Sequence, residues 1–204
     1  MKIINLTEKS AVYTSNVFLV TGTWNNLEDV NTLVDVGMDQ SIIKKIEESS
    51  TGVGKSKVDQ VILTHSHSDH VGILPLIREV FNPQVYAFSP YIGGVDNLLK
   101  DGEKLRMGDQ MFEVYHTPGH SSDSICLYCE NDGVLFVGDT PIIIRSTDGY
   151  YSEDFVRFFE QLCRKDVRAI YFGHGEPIVN ECRALIMDSL KNVRKSQATK
   201  IEKM

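Results

Sequence analysis

The stretch VDQVILTHSHSDH, residues 58–70, decides how this chain is to be read. Its first six residues form a short apolar run with β-branched members, the pattern of a buried strand. Thr64 ends the run, and His65, His67, Asp69 and His70 follow at once. Residues two apart in an extended segment point the same way, so His65 and His67 can approach one metal ion from one side. Beyond them Ile73, Leu74 and Ile77 recur at helical spacing until Asn82-Pro83 stops the pattern. Asp69 and His70 therefore sit where strand turns to helix, aimed at a second ion nearby.

Closing two ligand shells requires residues from elsewhere. Three stand just past apolar strand-like runs: His120 after FEVYHTPGH, Asp139 after VLFVGD and His174 after AIYFGH. Each follows a glycine (Gly119, Gly138 and Gly173), which permits tight turns and close backbone approach. Seven His and Asp ligands exceed what a closed tetrahedral structural zinc site uses, and they suit two divalent ions at an open, catalytic site. Imidazole and carboxylate serve zinc, iron and manganese alike; zinc is the first expectation, with iron or manganese as alternatives.

The rest of the chain alternates elements of both kinds. Strands are expected over 16–22, 30–36, 84–88, 111–116, 124–129, 133–137 and 168–172. Helices are expected over 41–49, with Asp39 as its cap, over 153–164, and from 182 to the C-terminus, frayed after about Lys195. The class is mixed α and β. No linker or repeat divides the 204 residues, so one domain spanning 1–204 is expected. A net charge of -7 argues against a nucleic acid partner. No apolar run reaches membrane-spanning length and the first residues carry no apolar leader. With 4 cysteines and no disulfide-dense pattern, the expected setting is the cytoplasm. Oligomeric state is not legible.

The ligand pattern resembles the metallo-β-lactamase superfamily: HxHxDH as His65, His67, Asp69 and His70, then PGH at His120, GD at Asp139 and GHG around His174. The resemblance implies an α+β fold, a four-layer αββα sandwich with the metal site at one sheet edge. It implies that His65, His67 and His120 hold one ion, that Asp69, His70 and His174 hold the other, and that Asp139 bridges them. Asp35 in LVDVG matches an aspartate that supports the metal loop without ligating. The implied activity is hydrolysis of a small-molecule substrate by a metal-activated hydroxide, with Asp69 as the catalytic residue that orients the hydroxide and carries protons.

Departures narrow the subfamily. Position 139 is Asp where the best-known β-lactamases carry Cys, and position 67 is His where diiron flavoproteins carry Glu. Glyoxalase II is similar in its ligand set but adds a C-terminal helical domain, for which the residues after His174 are too few. A small ester, thioester or lactone is therefore expected as substrate. The alternative is a persulfide dioxygenase-like oxidoreductase with a single iron on His65, His120 and Asp139. A non-catalytic metal-binding protein ranks last, because every ligand position is filled.

Among the remaining motifs, His116 reads as a strand-end residue. Trp24 reads as a substrate contact or loop packing. Tyr150 and Tyr151 read as candidate donors to a substrate oxyanion. Thr51-Gly-Val-Gly-Lys-Ser56 lacks the first glycine of a phosphate loop. Cys126 and Cys129, three apart in a strand, should face opposite ways.

Overall fold

The computed structural model describes residues 1–201. The first sheet contains β1 (Lys2–Asn5), β2 (Phe18–Thr21), β3 (Thr32–Val34), β4 (Gln60–Ile62), β5 (Gln84–Ala87) and β6 (Asn97–Leu98), in that spatial order. The second contains β7 (Lys104–Met107), β8 (Gln110–His116), β9 (Ile125–Cys129), β10 (Val134–Gly138) and β11 (Ala169–Phe172), again as spatial neighbours in sequence order. Strands β3 to β6 pair in parallel, as do β10 and β11; the other pairings are antiparallel. Helices α1 (Ile42–Glu48), α2 (Ser68–Val71) and α3 (Leu74–Phe81) belong to the first half, α4 (Glu153–Leu162) and α5 (Cys182–Ile201) to the second.

The period of two in the strands builds the layers. Leu19, Leu33, Val61 and Val85 face outward from the first sheet onto Ile42 and Ile46 of α1 and Leu74 and Ile77 of α3. The alternate residues Phe18, Val20, Val34 and Ile62 face inward and meet Phe112, Val114, Leu127 and Phe136 of the second sheet. That sheet's outer face carries Cys126, Tyr128, Leu135 and Val137 against Phe155, Phe158, Phe159 and Leu162 of α4 and Ile186 and Val193 of α5. Three apolar cores thus separate four layers, the αββα sandwich that the family resemblance implies. Cys126 and Cys129 lie in different cores on opposite faces of β9, as their spacing requires.

Several details differ from expectation. Strands β1, β6 and β7 were not anticipated; they are short, lie at or near sheet edges, and carry few buried side chains to mark them. Asp39 does not cap α1: the cap position is Ser41, and Asp39 Oδ1 instead accepts the Ser41 N–H at 2.9 Å in the preceding turn. Helix α5 continues past Lys195 to Ile201, and the part of the expected frayed tail beyond that lies outside the described residues. Among the described residues no helix is long and apolar enough to cross a membrane.

Candidate metal centre

The parallel strands deliver the site, because their C-terminal ends open on one edge. Asp35 lies just past β3, the 64–70 segment past β4, Asp139 past β10 and His174 past β11; His120 comes from the β8–β9 connection. A backbone bond from Ile125 N–H to Thr64 O (2.9 Å) joins the two sheets beside it.

Asp35 organises the first group. Its backbone is left-handed (φ 59°), a strained conformation for a residue with a side chain. That turn drives its buried carboxylate under the histidine segment. There it accepts the Thr64 N–H, the Thr64 hydroxyl and the His70 Nδ1–H, each at 2.8 Å. Thr64 Oγ1 also lies 3.2 Å from His65 Nδ1, whose proton it can accept. Both buried imidazoles are thereby held by Nδ1, and both turn Nε2 toward the rim.

The seven expected residues meet there. His67 Nδ1 is 2.9 Å from His120 Nε2, and these two with His65 form one group able to surround a cation. His174 Nε2 is 3.0 Å from Asp69 Oδ2, and these two with His70 form another. Asp139 stands between the groups, with one oxygen 3.3 Å from His70 Nε2 and the other 3.5 Å from His120 Nε2 and 3.6 Å from His174 Nε2.

Electrostatics and satisfaction test whether metal fits. Burial, with His70 beside it, drives His65 down to about 4, so its imidazole is neutral at pH 7 with a lone pair to offer. Burial also works against a charged His70, but Asp35 and Asp139 outweigh it and raise it to about 10. For Asp139, burial is outweighed in turn by His70, His174 and His65, which bring its carboxyl to about 2. The pocket around His70 therefore favours positive charge. The Nε2 atom of His65 is buried without a hydrogen bond, which is costly for a polar group that nothing else engages, and that of His70 faces the Asp139 carboxylate at 3.3 Å. Converging imidazoles and carboxylates in a field that attracts cations fit divalent ions.

A family model described as the metallo-beta-lactamase superfamily matches residues 11–174. The chain belongs to that superfamily. Among curated relatives it is similar to a hydroxyacylglutathione hydrolase of Rhizobium etli, 29% identical over 153 residues that cover 72% of this chain and 59% of that one. It is also similar to an atrochrysone carboxyl ACP thioesterase of Aspergillus fumigatus, 26% identical over 154 residues, 72% of this chain and 48% of that one. The chain thus spans 59% or less of the length of these two relatives. Among solved structures it shares its fold with ETHE1 from Myxococcus xanthus at a TM-score of 0.72 and 19% identity, over 96% of this chain and 88% of that one.

Within this superfamily site the glycines are not equivalent. A Cβ on Gly173 would lie 2.2 Å from Asp139 Oδ1 and 2.6 Å from His70 Cε1. Gly138 is left-handed (φ 50°), and a Cβ there would press on the Thr64 side chain. Gly119 departs from expectation, since its Cβ would meet only Phe155 at ordinary contact distance. Gly173→Ala is therefore expected to weaken metal binding about tenfold or more with the fold retained, whereas Gly119→Ala leaves it within about twofold. Titration of each variant with zinc against a chelating dye checks both.

The 13–16 segment is a part of the site that single-sequence reasoning missed. Asn16 Nδ2 donates to Phe172 O (2.9 Å) and Gly175 O (2.8 Å), bracketing His174. Ser15 N–H donates to Asp69 O at 3.0 Å. The exposed Tyr13 ring stacks on His174, with centroids 5.8 Å apart. No motif marks these residues, and only their tertiary contacts reveal the role.

Other candidates fall as follows. His116 lies outside all three ligand groups; its Nε2 is 2.8 Å from Ser122 O and its ring stacks on Phe88. Trp24 is not beside the site. It follows β2, which runs antiparallel to β3, so it lies at the opposite rim with Leu27 and residues 49–53. Lys55 of the glycine-rich loop donates to Asn26 O and Asp29 O, a structural role. Tyr150 and Tyr151 line a hollow that also contains His120 and Asp139.

Proposed function

We propose that this chain is a metal-dependent hydrolase of a small thioester, ester or lactone. The observation that carries this reading is the convergence of seven potential ligands on one rim, one of them the His65 imidazole whose buried Nε2 has no hydrogen bond. Superfamily membership supports it, and so does a relative named as a thioesterase.

In this reading His65, His67 and His120 hold one divalent ion and Asp69, His70 and His174 a second, with Asp139 shared. When bound, such a pair lowers the pKa of water toward neutrality and polarises an electrophilic carbonyl oxygen. The chain's own residues set the stage. Asp35 and Thr64 keep His70 and His65 in the tautomer that presents Nε2. In this reading Asp69, partly exposed and with Oδ2 3.0 Å from His174 Nε2, would orient the attacking water, accept its proton and pass it toward the leaving group. No serine or cysteine nucleophile is required.

His67→Ala is expected to lower bound metal and hydrolysis together, by about 10²-fold or more in rate. Elemental analysis beside a thioester assay checks it; full turnover with full metal content rejects the assignment. Analysis of protein purified without oxygen separates the hydrolase, with two ions per chain, from the dioxygenase alternative, with one iron.

A further inference from the structure

We propose that the substrate is uncharged on both sides of its scissile bond: a neutral, apolar thioester or ester. This rests on the hydrolase reading and adds to it a class of acyl and leaving group. Two hollows adjoin at the ligand cluster and share His120, Asp139 and Pro141. The larger, about 540 Å³, is walled by Pro118, Tyr150, Tyr151 and Phe155. The smaller, about 330 Å³, is walled by Ile142, Ile143 and Phe172. A substrate with its carbonyl over the cluster would place its acyl group in one hollow and its leaving group in the other. Tyr151 and Phe155 lie nearly parallel, with centroids 5.5 Å apart, and give the larger hollow a flat aromatic wall.

Neither hollow is built for an anion. Among the described residues no lysine or arginine lines either one, and Asp154 lines the larger. The N-terminus of α4 opens on the larger hollow, where such a terminus would ordinarily attract negative charge. Here Ser152 Oγ already accepts the Phe155 N–H at 3.2 Å, and Glu153 and Asp154 occupy the first turn. On the next turn of α4, Arg157 faces Asp154 at 3.5 Å. A carboxylate or phosphate at the far end of either hollow would lose water without gaining a cationic partner from the described lining residues, whereas an aryl or alkyl group would lose water favourably.

The test compares zinc-loaded protein on two phenylacetyl thioesters, one of N-acetylcysteamine, which is neutral, and one of glutathione, which is anionic. The non-hydrolysable phenethyl thioethers of the same two thiols are titrated by calorimetry with and without zinc. The neutral compounds are expected to win by about tenfold in kcat/KM and in Kd. Tyr151→Ala should erode the neutral advantage at unchanged metal content. Equal or better performance by the glutathione compounds overturns the charge inference while leaving the hydrolase reading intact. Hydrolysis of neither thioester by protein with both ions bound overturns the hydrolase reading and this inference with it.

Discussion

Asp139→Ala is expected to take bound metal from two ions per chain toward one and to lower hydrolysis by about 10³-fold. Among the described residues Asp139 is the one carboxylate within 3.6 Å of imidazole nitrogens from both groups. Its removal leaves the first group with three histidines, enough for one ion, and takes from the second the oxygens that face His70 Nε2 at 3.3 Å and His174 Nε2 at 3.6 Å. It also removes one of the two carboxylates that favour positive charge at His70. Asp139→Asn keeps the shape and one oxygen but not the charge, and should fall between wild type and alanine. Metal analysis after gel filtration, with parallel thioester kinetics, measures both effects. Two tightly held ions in the alanine variant would remove Asp139 from its shared position.

Asp35→Ala is expected to cost about 3–5 kcal/mol of stability, because it strands three donors in a buried, low-dielectric place. Those donors are the Thr64 amide, the Thr64 hydroxyl and His70 Nδ1–H. Alanine also suits the left-handed backbone at this position poorly. Thermal unfolding should shift down by about 10 °C for a chain of this size. Asp35→Asn tolerates the same backbone and should recover part of the loss while leaving metal affinity lowered, since one amide cannot accept from all three donors. Denaturant unfolding of the two variants, each with and without zinc, separates the structural share from the metal share. Wild-type stability in the alanine variant would show that Asp35 does not hold the histidine segment.

Most of the site was legible because its chemistry is written locally. His65, His67, Asp69 and His70 fall within six residues, and the other three ligands each end an apolar run. Strands β4 and β10, which lead into the 65–70 segment and Asp139, are buried on both faces, so their β-branched and aromatic content marks them out. What was not legible depends on contacts between distant segments. Strand β1 has no fully buried residue, and its pairing with β2 spans an intervening loop. Asn16 reaches residues more than 150 positions away, which no local pattern encodes. Trp24 misled because a loop between two strands can open at either end of a sheet, and the direction of β2 decides which. Gly119 misled because a glycine before a ligand is informative only where a neighbour crowds it.

The division of ligands between the two sheets has a consequence beyond chemistry. Each candidate group draws two residues from the 65–70 segment and one from the second half of the chain. Neither half owns a complete cradle. A cation seated in either one would rivet the halves together, so the same event that completes the proposed site would also fasten the seam.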